Sequence, residues 1–358
     1  MDVISQALAA KEILPRIEGG IVLYGAGSLG RFTLRAMRAA GLNPICFCDS
    51  SPSMWGEEIE GVAVLPLGMI RRDATFVVTI YTGGQTRKKL RQYGLNAVSF
   101  AQFYRAKLLG HKGVTMPYGA LDYADNIRAQ EPLIRMGYKV WADEKSRREY
   151  LAQVRYRVSV DDECLPFADD IHEMYFPPEH PFRESETFVD CGAFDGDTVN
   201  AFLSKWIDRV GNTQHRIVAI EPDPKNAEKV RRLKGVEVVE AAVGNVDGEV
   251  TFLANGNLGS AISPEGNMTV KMLKLDTILE KEVPTRLKLD IEGAEPLALQ
   301  GAVKTLQTHR PMLAVCLYHQ PEHLWEIPLY LKQVLPEYKL HLRRYCDDCW
   351  ELVCYASA

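Results

Sequence analysis

Short apolar runs alternate with longer stretches of helical period along most of this chain. In the N-terminal third the runs fall at 21–24, 44–48, 62–65, 75–81 and 97–100. Between the first two, Phe32, Leu34, Ala36 and Met37 supply the apolar positions of a helix. A second series falls at 187–191, 216–221, 236–243, 249–253, 286–290, 312–318, 338–344 and 350–355. Runs of this length bounded by turn residues read as buried strands, and their alternation with helices predicts parallel, doubly wound sheets. The pattern yields two Rossmann-like units, 1–105 and 186–358. Its last two runs form an antiparallel hairpin over Asp347-Asp348.

The stretch 106–185 reads differently. Tyr150, Leu151, Val154 and Val158 share one helical face, with Ser146 and Glu149 placed as a capping box. The prolines of Pro177-Pro178-Glu179-His180-Pro181 then end helical structure. This stretch is expected as a helical connector and lid. His172 and His180 within it are expected to carry no chemistry.

The most specific candidate chemistry lies at the head of the second unit. Val189-Asp190-Cys191-Gly192-Ala193-Phe194-Asp195-Gly196-Asp197-Thr198 is a strand running into an acidic, glycine-containing turn that opens a helix. Open α/β sheets bind nucleotide-like ligands at such a place. Gly192 and Gly196 are not the closely spaced glycines that a pyrophosphate needs. Asp190, Asp195 and Asp197 suit a ligand carrying a positive charge and a free amine, which describes S-adenosylmethionine. Glu221, followed by Pro222, ends the next strand, where a carboxylate accepts both ribose hydroxyls. Ala242 and Val243 sit where an adenine ring would lie. The cofactor contacts expected are therefore Asp190, Gly192, Ala193, Phe194, Asp195, Gly196, Asp197, Thr198, Glu221, Pro222, Ala242, Val243 and Asp290.

A second motif is legible in the first unit. Gly25-Ala26-Gly27-Ser28-Leu29-Gly30 follows a strand, precedes a helix, and is followed about twenty residues on by Asp49. Gly25, Gly27, Ser28, Leu29, Gly30 and Asp49 read as a site for NAD, a sugar nucleotide or a related phosphate ligand. They read equally as the tight turn of a scaffold or dimerisation domain. No hydride-transfer constellation follows them.

Composition narrows the classes further. The 358 residues carry a net charge of −5 and are 46% hydrophobic and 25% charged, which fits a globular chain of two domains. The acidic balance argues against a nucleic-acid partner. No apolar run reaches the length of a membrane span, and the N-terminus lacks a basic-then-apolar signal. Most of the eight cysteines lie in apolar runs, as in a reduced cytoplasmic protein. Cys346-Asp347-Asp348-Cys349 reads as a turn, because no second ligand pair stands near it.

Four segments together resemble the FkbM family of S-adenosylmethionine-dependent methyltransferases. They are residues 189–198, Ile220-Glu221-Pro222-Asp223, Leu287-Lys288-Leu289-Asp290-Ile291-Glu292-Gly293-Ala294-Glu295, and the run from Leu317-Tyr318-His319 to Glu326. The resemblance implies a seven-stranded class I sheet closed by an antiparallel hairpin. It also implies O-methylation of a small-molecule or glycan acceptor such as a sugar. The N-terminal unit is more loosely similar to nucleotide-binding domains fused to enzymes of surface-sugar metabolism. Methyl transfer requires alignment of the acceptor oxygen and removal of its proton. Asp290 and His319, at the ends of the fourth and fifth strands, are the catalytic candidates. With an ordinary imidazole pKa of about 6.5, His319 is expected as the base and Asp290 as its partner or the orienter of the acceptor. Asp290 could also hold a metal with Glu292 and Glu295, but too few convergent ligands are evident to require one. A non-catalytic nucleotide sensor, an NAD-linked enzyme and a homo-oligomer stay open on the sequence alone.

Overall fold

The computed structural model describes residues 2–111, 124–211, 214–253, 261–262 and 266–358. The chain divides into two compact units, each assembled from separated segments. The first comprises Met1–Glu131, Arg148–Ala168 and Cys346–Trp350, and the second Pro132–Arg147, Asp169–Tyr345 and Glu351–Ala358. The stretch expected as a connector contributes to both; its residues 112–123 lie outside those described. Among the described residues no helix is long and apolar enough to cross a membrane.

The first unit is built on β1 (Ile21–Tyr24), β2 (Cys46–Cys48), β3 (Glu58–Ile59), β4 (Val62–Leu65), β5 (Thr75–Val78) and β6 (Asn96–Ser99). Their order is β3-β4-β2-β1-β5-β6, parallel throughout except for the β3–β4 pair. Val22, Cys46, Cys48, Phe76, Val78 and Leu90 form its core. The helix Ser28–Ala39 buries Leu34, Ala36 and Met37, as its spacing requires. In the same unit the buried guanidinium of Arg87 pairs with both oxygens of Asp348 and, at 2.8 Å, with Asp162.

The second unit carries β7 (Glu186–Cys191), β8 (His215–Ile220), β9 (Val236–Val239), β10 (Ala242–Val243), β11 (Gly248–Leu253), β12 (Ala261–Ile262), β13 (Met268–Leu273), β14 (Arg286–Leu289), β15 (Met312–Cys316), β16 (Lys339–Arg344) and β17 (Leu352–Ser357). Seven of these form one sheet in the order β16-β17-β15-β14-β7-β8-β9. The strands β15, β14, β7, β8 and β9 run parallel, and β17 pairs antiparallel with both β15 and β16. This is the class I methyltransferase sheet with its closing hairpin. The order reverses between β7 and β14, and ligands of open α/β sheets bind at such a switch point.

Two local expectations are corrected. The run at 236–243 is not one strand: β9 extends the large sheet, while β10 pairs with β13 in a separate four-stranded sheet of order β10-β13-β11-β12. The helix Glu144–Ser159 is capped by Asp143, whose Oδ1 accepts the Ser146 amide at 2.7 Å. Ser146 is inside that helix and its hydroxyl accepts from Leu342 and Arg343 instead. An aspartate upstream outcompetes the serine because its carboxylate is the stronger acceptor at a helix N-terminus.

Candidate active site

The carboxyl ends of β7, β8 and β14 converge because of one glycine. Gly192 has φ +78°, and a Cβ built there would lie 1.9 Å from the Asp290 carbonyl oxygen. Only a residue without a side chain permits both the left-handed turn and this approach. Phe194, also at positive φ (+48°), directs its amide at Glu221 Oε2, 2.9 Å away. The Asp223 amide donates to Glu221 Oε1 at 2.8 Å. Glu221 is thus held across two loops and is nearly buried. Burial pushes its carboxyl up to about 7 against those two hydrogen bonds.

A cavity opens beside this carboxylate. Of the residues expected to contact a cofactor, Gly192, Phe194, Glu221, Pro222, Ala242, Val243 and Asp290 line it. Phe252 and Ile262 join them from the small sheet, with Asn226, Ile291 and Glu292. The aspartates of the first loop behave differently. Asp190 is fully buried and ion-paired with Lys288 Nζ at 3.0 Å. Burial raises Asp190 to about 6 despite the ammonium. Asp195 and Asp197 are exposed, Ala193 is buried, and Gly196 and Thr198 open the helix Asp197–Arg209. None of these is part of the described lining. Glu221, Asp290 and Glu292 supply its acidic character, and no lysine or arginine belongs to it.

Asp290 follows β14 and receives hydrogen bonds from Tyr175 Oη at 2.8 Å and Tyr318 Oη at 2.9 Å. Behind it stands His319, which is buried. Its Nε2 lies 3.4 Å from Asp290 Oδ1 and 3.7 Å from Glu292 Oε2, and its Nδ1 lies 2.9 Å from Glu295 Oε1. Glu295 is fully buried, accepts the Ile291 amide at 2.9 Å, and lies 3.4 Å from His323 Nδ1. Burial opposes charge on His319, yet the Glu295, Asp290 and Glu292 carboxylates hold its proton on up to about 10. Burial likewise opposes charge on Asp290, while Lys288, His319 and the two tyrosine hydroxyls keep it below its ordinary range. At neutral pH the ring is therefore an imidazolium, and Asp290 faces the cavity ionised.

Sequence reasoning paired Asp290 with His319, and the structure brings them together. It did not find Tyr175, which reaches Asp290 from 115 residues away, or Glu351, whose carboxyl burial and Asp290 push upward. Lys288 left a readable signal, since a charged residue in the buried strand Arg286–Leu289 needs a partner. Ligand atoms of Asp290, Glu295 and His319 lie within 4.8 Å of one another, a convergence the sequence does not reveal.

The N-terminal motif also lines a cavity, formed by Gly25, Gly27, Ser28, Leu29, Asp49 and Thr79 with their neighbours. A Cβ on Gly30 would lie 2.1 Å from the Gly25 carbonyl oxygen, so this glycine lets the helix pack on the loop. Asp49 spends both oxygens on its own surroundings, accepting the Ala26 amide at 2.9 Å and the Ser51 amide at 2.8 Å.

Residues 190–349 match the family model of the methyltransferase FkbM domain. Along almost its whole length the chain is similar to a crystal structure of methyltransferase FkbM from Methylobacillus flagellatus KT. That alignment has a TM-score of 0.74 and 22% identity, and covers 99% of this chain and 93% of the other. A SAM-dependent methyltransferase from Aquifex aeolicus aligns over 52% of this chain and 93% of its own, with TM-score 0.31 and 16% identity. Aeropyrum pernix fibrillarin, solved with natively bound S-adenosyl-L-methionine, aligns over 49% of this chain and 69% of its own, with TM-score 0.30 and 10% identity. Comparison with curated proteins finds no match.

Proposed function

We propose that this chain, which carries an FkbM methyltransferase domain, moves the methyl group of S-adenosylmethionine to a hydroxyl oxygen of a sugar, sugar nucleotide or related natural product. The observation that carries the reading is the cavity at the β7–β14 switch point, with three carboxyl groups and no lysine or arginine among its described lining residues. The residues fit the donor. Glu221 can accept ribose hydroxyls, and Ala242, Val243, Phe252 and Ile262 offer an apolar bed for a ring. Asp290 and Glu292 favour the positive end of such a molecule, whereas a donor that placed phosphates against these carboxylates would be repelled. When bound, the donor supplies an electrophilic methyl group on a sulfonium.

The remaining work falls to the chain. Asp290 faces the cavity as a carboxylate, fixed by Tyr175 and Tyr318, and can accept a hydrogen bond from the acceptor hydroxyl. Protonated His319 acts as its charged neighbour, keeping Asp290 ionised, and not as the free base. The oxygen acceptor and its sugar character rest on the family resemblance. The test is incubation of the purified chain with methyl-labelled donor and a panel of sugars and sugar nucleotides. Label is expected on an acceptor oxygen and is expected to disappear in Asp290→Asn. Donor binding without transfer to any hydroxylated acceptor, or label on nitrogen, would overturn the proposal.

A further inference from the structure

We infer that Asn226 reads the base of the methyl donor, its side-chain amide donating to N3, the ring nitrogen on the sugar side of adenine. That role rests on the donor proposed for this cavity. The side chains already assigned there are acceptors or apolar. Glu221, Asp290 and Glu292 bring carboxyl groups, and Ala242, Val243, Phe252 and Ile262 bring hydrocarbon. Asn226 is the one side chain among the described lining residues that carries N–H groups. It lies on the buried face of the helix Pro224–Arg231 and is 1% exposed. One turn on, Lys229 donates from Nζ to Asn226 Oδ1 at 2.9 Å. An ammonium can only donate, so this contact settles which end of the amide is the carbonyl. Lys229 is held in turn over the Phe194 ring, with Nζ 5.3 Å from its centroid. The Nδ2 end of Asn226 makes no hydrogen bond among the described residues. A buried amide with its N–H groups unmade is costly, and a ligand in the cavity it lines completes it.

The nearby backbone cannot do this work. Pro222 has no N–H, and the amides of Asp223 and Phe194 are spent on the two oxygens of Glu221, at 2.8 and 2.9 Å. The Lys225 amide is spent on Asp223 Oδ1 at 2.9 Å. The segment that holds the ribose carboxylate therefore offers a base no backbone donor up to Asn226, in the first turn of the next helix. A nucleoside whose sugar is bound by Glu221 brings the sugar edge of its base toward that segment. Adenine carries the acceptor N3 on this edge, whereas its exocyclic amine lies on the opposite one. A donor there pairs with N3 and leaves no polar atom of the amide orphaned.

Calorimetric titration of the full-length chain with S-adenosylhomocysteine and with its 3-deaza analogue, in which C–H replaces N3, isolates the contact. The wild-type protein is expected to bind the analogue about tenfold more weakly, because the amide is then left unpaired. Asn226→Ala is expected to lose about tenfold toward S-adenosylhomocysteine and to bind the two ligands equally. Asn226→Asp keeps the shape of the side chain but sets an acceptor against N3, and is expected to lose at least as much. Thermal melting confirms that each variant is folded. Equal affinity of the wild-type chain for the two ligands, or a preference for N3 retained by folded Asn226→Ala or Asn226→Asp, overturns the role of Asn226 and leaves the donor site standing. No binding of S-adenosylhomocysteine by the folded wild-type chain overturns the donor site, and the role of Asn226 with it.

Discussion

Lys288 underpins both the first loop and the candidate catalytic strand, and its removal gives a graded test of the electrostatics described above. Its ammonium is 3% exposed and lies 3.0 Å from Asp190 Oδ1, while it donates to the Gly192 carbonyl at 2.8 Å. At that separation and an effective dielectric of about 20, the attraction is roughly 5 kcal/mol. Removing one partner of a buried pair typically costs about 3–5 kcal/mol, because the other charge is left uncompensated. Lys288→Met should therefore destabilise the β7–β14 region by that amount at pH 8. The cost depends on pH in a defined direction. Asp190 titrates at about 6 in the fold, above its unfolded value of about 3.9. The folded state thus binds the proton more tightly, and this group contributes a loss of about 3 kcal/mol as pH rises from 4 to 6. Without Lys288 that loss continues above pH 6, whereas at pH 5 Asp190 is mostly neutral in both proteins. The penalty should shrink to about 1 kcal/mol at pH 5. Asp190→Asn combined with Lys288→Met should recover most of it at pH 8. Hydrogen exchange of the β7 and β14 amides reads the local free energy. A penalty below about 1 kcal/mol at pH 8, or one equal at both pH values, would refute the reasoning.

Three further perturbations follow from the same geometry. Gly192→Ala should cost about 2–4 kcal/mol, because it forces a Cβ onto the Asp290 carbonyl at a left-handed φ; equal chemical-denaturation midpoints for variant and wild type would contradict this. His319 should keep its imidazolium ¹⁵N shifts at pH 8. Its raised pKa contributes stability that is complete below about 6.5 and is lost as pH rises through about 10. Titration of that ring near 6.5 would show that its three carboxylate neighbours are not in place. In the first unit, Arg87→Met leaves Asp162 and Asp348 buried without their cation and should cost about 3–5 kcal/mol, seen as lost amide protection in the helix Gly84–Gln92.

The sequence was most readable where period and position coincide. Short, largely buried strands with Asp190, Glu221 and Asp290 at or just past their carboxyl ends placed the switch point, since the strand interior is packed and the tip carries the polar residue. Partners that come together only through the fold were not readable. The small sheet was missed because β12 is two residues long and β13 exposes the polar Thr269 and Lys271 along an otherwise apolar run. Asp195 and Asp197 share a loop with Gly192, yet the turn leaves them exposed, so local composition misjudged which acids face the cavity. The base expected in His319 depended on an ordinary imidazole. Glu292 and Glu295, approaching from another strand's loop, change that chemistry, and only tertiary packing sets their distance.

The central claim is that the β7–β14 cavity binds S-adenosylmethionine and its demethylated product through Glu221, and calorimetric titration with S-adenosylhomocysteine tests it most directly. One site per chain is expected in the wild-type protein. Glu221→Ala, which removes the carboxyl acceptor for two ribose hydroxyls, should weaken it about 10- to 100-fold. Absence of binding to the folded wild-type chain, or an affinity unchanged by Glu221→Ala, would contradict the account.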